Sequence, residues 1–239
     1  MGLNNVLPFV RRLVVYLVGI VVLCMGVVLN TKTGLGTSAM STIPFAMQRI
    51  EGISLGTASV VIYSIFVVIQ LVLARRIDVK VLVQVPVSLL FGVGIDFFDM
   101  IVFPGQAQGM LDGIPMLFVA IVLTALGITI VVSANLVPVA TDGLVKALSS
   151  FFRWEFGKTK LAFDATCLCV TLMYSVARVG HPVGIGLGTI LAVLFTGPFC
   201  ALWGRLLGGR LASFMSEGAN VVSCGPSRLP ESNVSIERG

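Results

Sequence analysis

Charge is scarce in this 239-residue chain: 11% of its residues are Asp, Glu, Lys or Arg, against 56% hydrophobic. Soluble domains carry roughly a quarter charged residues, so composition alone excludes a water-soluble fold. Histidine is scarcer still. His181 is the single one, and a zinc hydrolase built on paired histidines is excluded for want of a second ligand. No Gly-rich loop ending in Gly-Lys-Ser or Gly-Lys-Thr occurs, so the chain has no nucleotide-driven motor of its own. Cysteine is present without a framework. Of Cys24, Cys167, Cys169, Cys200 and Cys224, four stand in apolar runs, and Cys167-x-Cys169 lacks the usual spacer of a zinc pair. The expectation is buried thiols that pack as small hydrophobes. A serine nucleophile in Gly36-Thr37-Ser38 needs a base within hydrogen-bond reach, and nothing in the sequence brings His181 there. The chain is read as a non-enzyme with no cofactor and no metal.

What is present is length without charge. Mean hydropathy is +1.02. Lipid offers no hydrogen-bond partner to bare backbone, so spanning segments must be helices or a closed barrel. Runs such as Val60 to Ala74 show no polar–apolar alternation, which favours helices. After Arg11-Arg12, residues 13–31 are uncharged and long enough for a hydrocarbon core of about 30 Å. Further spans are predicted at 54–74, 80–96 (with Pro86 as a kink site), 114–132, 157–178 and 185–203. The resulting fold class is an all-α integral membrane protein of six transmembrane helices. Residues 1–12 form a cytoplasmic N-terminus. Residues 208–239, polar and rich in Ser, Gly and Pro, are expected to be a disordered cytoplasmic tail.

The formal charge of +5 does not point to nucleic acid, because the basic residues lie at the ends of apolar runs. With both termini cytoplasmic, one side of the membrane receives Arg11, Arg12, Arg75, Arg76, Lys80, Lys146, Arg153, Lys158, Lys160, Arg205 and Arg210. The other receives Lys32, Arg49 and Arg178. That is the positive-inside bias.

An internal repeat organises the spans. At an offset of 101 positions, Leu35 falls on Leu136, Ala39 on Ala140 and Gly56 on Gly157. Each half reads as a long span, a polar break, a short apolar segment, and a Gly opening the next span. The halves are taken as residues 13–105 and 106–207, with short broken helices after the first and fourth spans. Three spans is an odd number, so the second unit must enter the membrane upside down. Inverted repeats broken at matching places are a signature of secondary transporters, whose sites lie between the repeats. A duplicated three-helix unit that merely builds a stable bundle is the plainer reading.

The breaks carry recognisable sequence: Gly34-Leu35-Gly36-Thr37-Ser38, Ser41-Thr42-Ile43-Pro44 and Leu55-Gly56-Thr57 in the first half, then Gln84-Val85-Pro86-Val87-Ser88-Leu89-Leu90-Phe91-Gly92 followed by Asp96. The second half adds Asp142-Gly143-Leu144-Val145-Lys146, Phe156-Gly157-Lys158-Thr159-Lys160, Phe163-Asp164, Gly186-Leu187-Gly188-Thr189 and Gly197-Pro198. This ordered set resembles the YczE/YyaS/YitT family of bacterial membrane proteins. The resemblance implies a multi-pass protein of the bacterial cytoplasmic (inner) membrane and names no reaction.

Ionisable groups inside spans are costly and usually face the bundle interior or a water-filled cavity. Asp164 lies about two turns into the fifth span, with Lys160 one turn earlier on the same face. It is either a carboxylate that binds a proton or cationic group, or half of a structural ion pair. Asp142 opens the second short helix, as a cap or as a carboxylate at the repeat interface. Ser38, Ser41 and Thr42 hold the matching place in the first repeat. Their hydroxyls contact a solute or bond back to helical carbonyls. Gly34, Gly36, Gly186 and Gly188 let backbone approach a ligand or, on the favoured reading, let helices pack closely. Gln84 contacts a solute or a neighbouring helix. Asp96 and Asp99, near the outer end of the third span, line an outer vestibule or, on the favoured reading, are solvated interface residues. The functional expectation is a secondary transporter (permease) that moves a small solute by alternating access. A non-transporting scaffold or regulator is the alternative. The partners are the solute and the lipid bilayer, with no nucleic acid; a homo-oligomer is compatible with either reading.

Overall fold

A computed structural model describes residues 3–75, 78–102, 105–107 and 109–215. Among them the elements run α1 (Leu3–Lys32), a 3-10 turn (Ala39–Ser41), α2 (Thr42–Glu51), α3 (Leu55–Ala74), α4 (Val79–Leu82), α5 (Gln84–Phe97), a π turn (Phe98–Val102), α6 (Met110–Ala134), α7 (Ala140–Phe152), α8 (Phe156–Val179) and α9 (Leu187–Met215). By length and composition, six helical segments can cross a membrane: Phe9–Lys32, Leu55–Ala74, Val79–Ile101, Met110–Ala134, Phe156–Val179 and Leu187–Met215. All six predicted spans are present. The third is interrupted at Val83, between α4 and α5. Pro86 has no N–H to offer the Leu82 carbonyl, which is the bond that would have continued the helix. The sixth runs on to Met215, so 208–215 is helical where the sequence suggested a tail; the rest of that tail, 216–239, lies outside the described residues.

The helix ends repeat with the sequence. Gly34 (φ 70°) and Asn135 (φ 49°), 101 positions apart, both turn the chain through the left-handed region after a long helix. Gly52 (φ 69°) and Arg153 (φ 55°), at the same offset, cap α2 and α7. Asn tolerates this conformation better than most residues, whereas Arg153 carries a real backbone cost. Leu55 and Phe156, again at that offset, open α3 and α8.

α1 and α6 cross at the centre, and small residues let them approach. A methyl group on Gly26 would lie 2.5 Å from the Thr124 backbone nitrogen, and one on Gly127 would lie 2.6 Å from that of Leu23. Such contacts supply helix association where lipid removes the hydrophobic drive. Around this pair, α2 packs on α3 and α8, α7 packs on the same two helices, and α9 lies chiefly against α6. The shared core joins Tyr63 and Phe66 of α3, Phe91 of α5 and Phe163 of α8. The outward faces are apolar: Val68, Leu111, Met173 and Leu194 are all exposed. Cys24, Cys167 and Cys200 are buried as expected, but Cys169 is exposed. Two residues along a helix turn about 200°, so Cys169 cannot share the inward face of Cys167.

Candidate functional site

The two breaks both border α8: the 3-10 turn packs on it, and α7 packs on it and on α3. The N-cap of α7 is Val139, and no side chain caps this end. Asp142 therefore stands in the first turn of α7 without serving as its hydrogen-bonded cap, a position where the helix dipole still favours a carboxylate. Its partner is Lys160 of α8, Nζ to Oδ1 at 3.9 Å. The same ammonium lies 3.8 Å from Met40 Sδ in the first break. Lys160 thus touches both breaks at once. Asp164, one turn beyond Lys160, is 8% exposed, and its Oδ1 has no hydrogen-bond partner.

Next to this cluster is a buried amide pair. Gln70 of α3 and Gln84 of α5 exchange bonds, Gln70 Nε2 to Gln84 Oε1 at 2.9 Å and Gln84 Nε2 to Gln70 Oε1 at 3.2 Å. Gln70 Nε2 also donates to the Ala140 carbonyl, at 3.1 Å. That fixes the start of α7 against α3. Gly143 leaves room for the pair, since a methyl there would lie 2.7 Å from Gln70 Oε1. Gln84 therefore takes the neighbouring-helix role. Gln70 was missed in the sequence, although a lone amide in the apolar run of α3 carries the same signal as Gln84: a buried polar group must find a partner.

The first break is held differently. Ser38 Oγ donates to Ser41 Oγ at 3.1 Å, and Thr42 Oγ1 donates to the Ala39 carbonyl at 2.7 Å. Thr171 of α8 lies 2.9 Å from Thr42 through its hydroxyl. No hydrogen bond joins Ser38, Ser41 or Thr42 to Asp142 or Asp164 among the described residues. Gly36, Gly186 and Gly188 pack closely, whereas Gly34 has nothing within 4 Å of an added methyl and serves the left-handed turn instead. The Gly188 N–H donates to Leu35 O (2.7 Å), the Thr37 N–H to Gly184 O (2.9 Å), and a methyl on Gly36 would lie 2.6 Å from the Gly186 nitrogen.

A cavity of about 300 Å³ lies elsewhere, among Lys32, Phe45, Gln48, Arg49, Asp99 and Gln106. Of the residues singled out in the sequence, Asp99 lines it, whereas Asp142, Asp164, Lys160, Ser38, Ser41, Thr42 and Gln84 do not. Asp99 is not a freely solvated residue. It pairs with Lys32 at 2.7 Å, with side-chain exposures of 13% and 11%, and accepts from Gln48 Nε2 at 3.1 Å. Asp96 is also occupied: it accepts from Ser54 Oγ (2.8 Å) and the Gly56 N–H (2.7 Å), and so ties α5 to the start of α3.

Residues 10–205, a stretch that reaches into all six spans and holds both breaks, match the model of a family of unknown function, DUF6198. The chain belongs to this family. It is also 24% identical over 183 residues to the uncharacterized protein YyaS of Bacillus subtilis (strain 168), a match covering 76% of this chain and 87% of that relative. No solved structure matches. The YyaS-like character read from the motifs thus holds over most of the chain. In this DUF6198 protein Asp142 of the second break meets Lys160 of α8, one turn from Asp164, and the hydroxyls and amides around them are mostly buried. Such a set has the chemistry to hold a proton or a small charged group. Among the described residues, no group of three or more His, Cys, Asp or Glu is placed to hold a metal.

Proposed function

We propose that this protein is a secondary transporter of the bacterial cytoplasmic membrane, built from two inverted three-span repeats, with both termini cytoplasmic. It moves a small solute that binds between the broken segments, near Ser38, Ser41, Asp142 and Asp164, and rocking of the repeats alternates access. The observation that carries this reading is Lys160, a half-buried cation in contact with both breaks, one helical turn from a buried carboxylate oxygen that nothing satisfies. Intramembrane charge of this kind marks substrate and ion pathways. Reciprocal contacts support the inverted repeat. Gly26 packs on Thr124 while Gly127 packs on Leu23, and Gln70 bonds the start of α7 while Thr171 meets the start of α2. The first two contacts are each other shifted by 101 positions; in the second two Gln70 and Thr171 are 101 apart while their partners, Ala140 and Thr42, match only to within one helical turn. This is the pattern that a two-fold relation produces.

The test is thermal unfolding of the detergent-purified protein against a metabolite and antibiotic library. A ligand specific for the folded state adds about 2.7 kcal/mol at a hundredfold excess over its dissociation constant. A shift confined to one chemical class, and lost in Asp142→Asn and Asp164→Asn, is expected. A folded protein that responds to nothing favours the second reading, a scaffold or regulator. That reading draws on the direct contacts across the breaks and on a cavity placed away from them. Ser41→Cys and Asp142→Cys, made after removal of the native cysteines, separate the two. A permease admits water-soluble thiol reagents to both positions, and a packed scaffold protects both.

A further inference from the structure

Asp142, Lys160 and Asp164 supply two negative charges and one positive. Fully ionised, the cluster carries one uncompensated charge within the bundle, where an unpaired carboxylate is far costlier than a neutral carboxyl with an unmet hydrogen bond. Lys160 sits at Asp142. Asp164, 8% exposed and with Oδ1 unpartnered, is the carboxylate left out. Yet Asp164 follows Lys160 by four residues on one helix face, a spacing at which a lysine reaches a carboxylate. The ammonium thus has two alternative seats.

We propose that this cluster holds one exchangeable positive charge: either a proton on Asp164, or a small organic monocation on Asp142 with Lys160 moved across to Asp164. In the exchange the Asp164 proton leaves to water, Lys160 stays charged and shifts by one helical turn, and the cation takes the vacated seat at Asp142. The cluster is neutral before and after. Proton and solute therefore compete, which makes the transport an antiport of protons against small cations. Because Lys160 also touches Met40, its shift is felt by the first break as well as by α7. The other titratable groups facing the cluster are Cys167 on α8 and Tyr63 on α3. The charged residues of α2, Arg49 and Glu51, lie at its far end, where Glu51 is bound to Arg178 and Tyr174. On α7, Lys146 is exposed and Arg153 caps the far end.

The antiport rests on the permease reading, but the shared proton does not, and infrared spectroscopy of the purified full chain tests it without transport. The wild type should show a protonated carboxyl band between mildly acidic and mildly alkaline buffer. Asp164→Asn should lose it. Asp142→Asn should lose it too, since Lys160 then pairs with Asp164, whereas Lys160→Gln should strengthen it. A carboxyl protonated only because it is buried would keep its band in Asp142→Asn, and that result overturns the proposal, as does a wild type without the band. Methylammonium or choline should release about one proton per chain into a weakly buffered dye solution; release by neither overturns the exchange. Proton release in detergent with no uptake of either cation into sealed vesicles supports the exchange site and overturns the permease.

Discussion

The cost of a residue in this bundle depends on what stands opposite it, as Gly143 and Gly157 show. Both are helical glycines, and only one is crowded. A methyl at 143 meets the Gln70–Gln84 amides at 2.7 Å, whereas nothing lies within 4 Å of one at 157. Gly143→Ala should lower stability by about 1–3 kcal/mol through overpacking. Gly157→Ala should be neutral or gain up to ~1 kcal/mol of helix propensity. Melting of the two variants in the same detergent checks the contrast. Gln84→Leu strands Gln70 among apolar neighbours and should cost about 1–3 kcal/mol, the penalty of a buried amide left short of partners. Replacing both glutamines by Leu should recover part of that loss.

Between elements, the α1–α6 crossing and the α2–α8 contact behave differently. Gly26 and Gly127 each face backbone atoms that cannot swing aside. Gly26→Leu and Gly127→Leu should therefore be comparably damaging, by about 3 kcal/mol or more, and melting or loss of folded yield in membranes measures this. The α2–α8 contact is a clamp at the helix ends. Glu51 accepts from Tyr174 and from Arg178, each at 2.7 Å. The tyrosine hydrogen bond, then the guanidinium, hold its carboxyl below the ordinary value of 4.5. A lowered value means that the clamp is complete at neutral pH and is lost as pH falls through the lowered value. Hydrogen exchange in α2 should rise with acid in the wild type. In Glu51→Gln it should already be raised at neutral pH and respond little to acid.

For the whole molecule, the proposed topology places both ends on the basic side. A green fluorescent protein fused after Gly239 should fluoresce, and alkaline phosphatase fused there should be inactive; the reverse pair of results would invert the protein. The six spans were legible because each is an apolar run long enough to cross lipid, and the breaks were legible because their polar residues interrupt those runs. The pairings were not. Lys160 and Asp164 share a face in sequence, but the ammonium goes to Asp142 on another helix, a choice set by how α7 docks on α8. Lys32 and Asp99 meet only because the π turn after α5 comes back to the end of α1. That α9 leans on α6 is likewise a matter of packing, since its apolar residues surround the helix without favouring one face.

The two backbone hydrogen bonds that stitch residues 35–37 to residues 184–188 have no counterpart at 135–139 among the described residues. The linkage is one-sided. Whatever displaces the first break tows the front end of α9 with it, while the second break has no backbone tether of that kind. It is held by side chains, Gln70 on the Ala140 carbonyl and Lys160 on Asp142. If the halves trade places during a cycle, their strokes are unequal: one hauls a whole helix and the other does not. The heavier stroke is then the slower one, and a proline at Thr37, which deletes one tether by removing its N–H, would bring the two closer in speed.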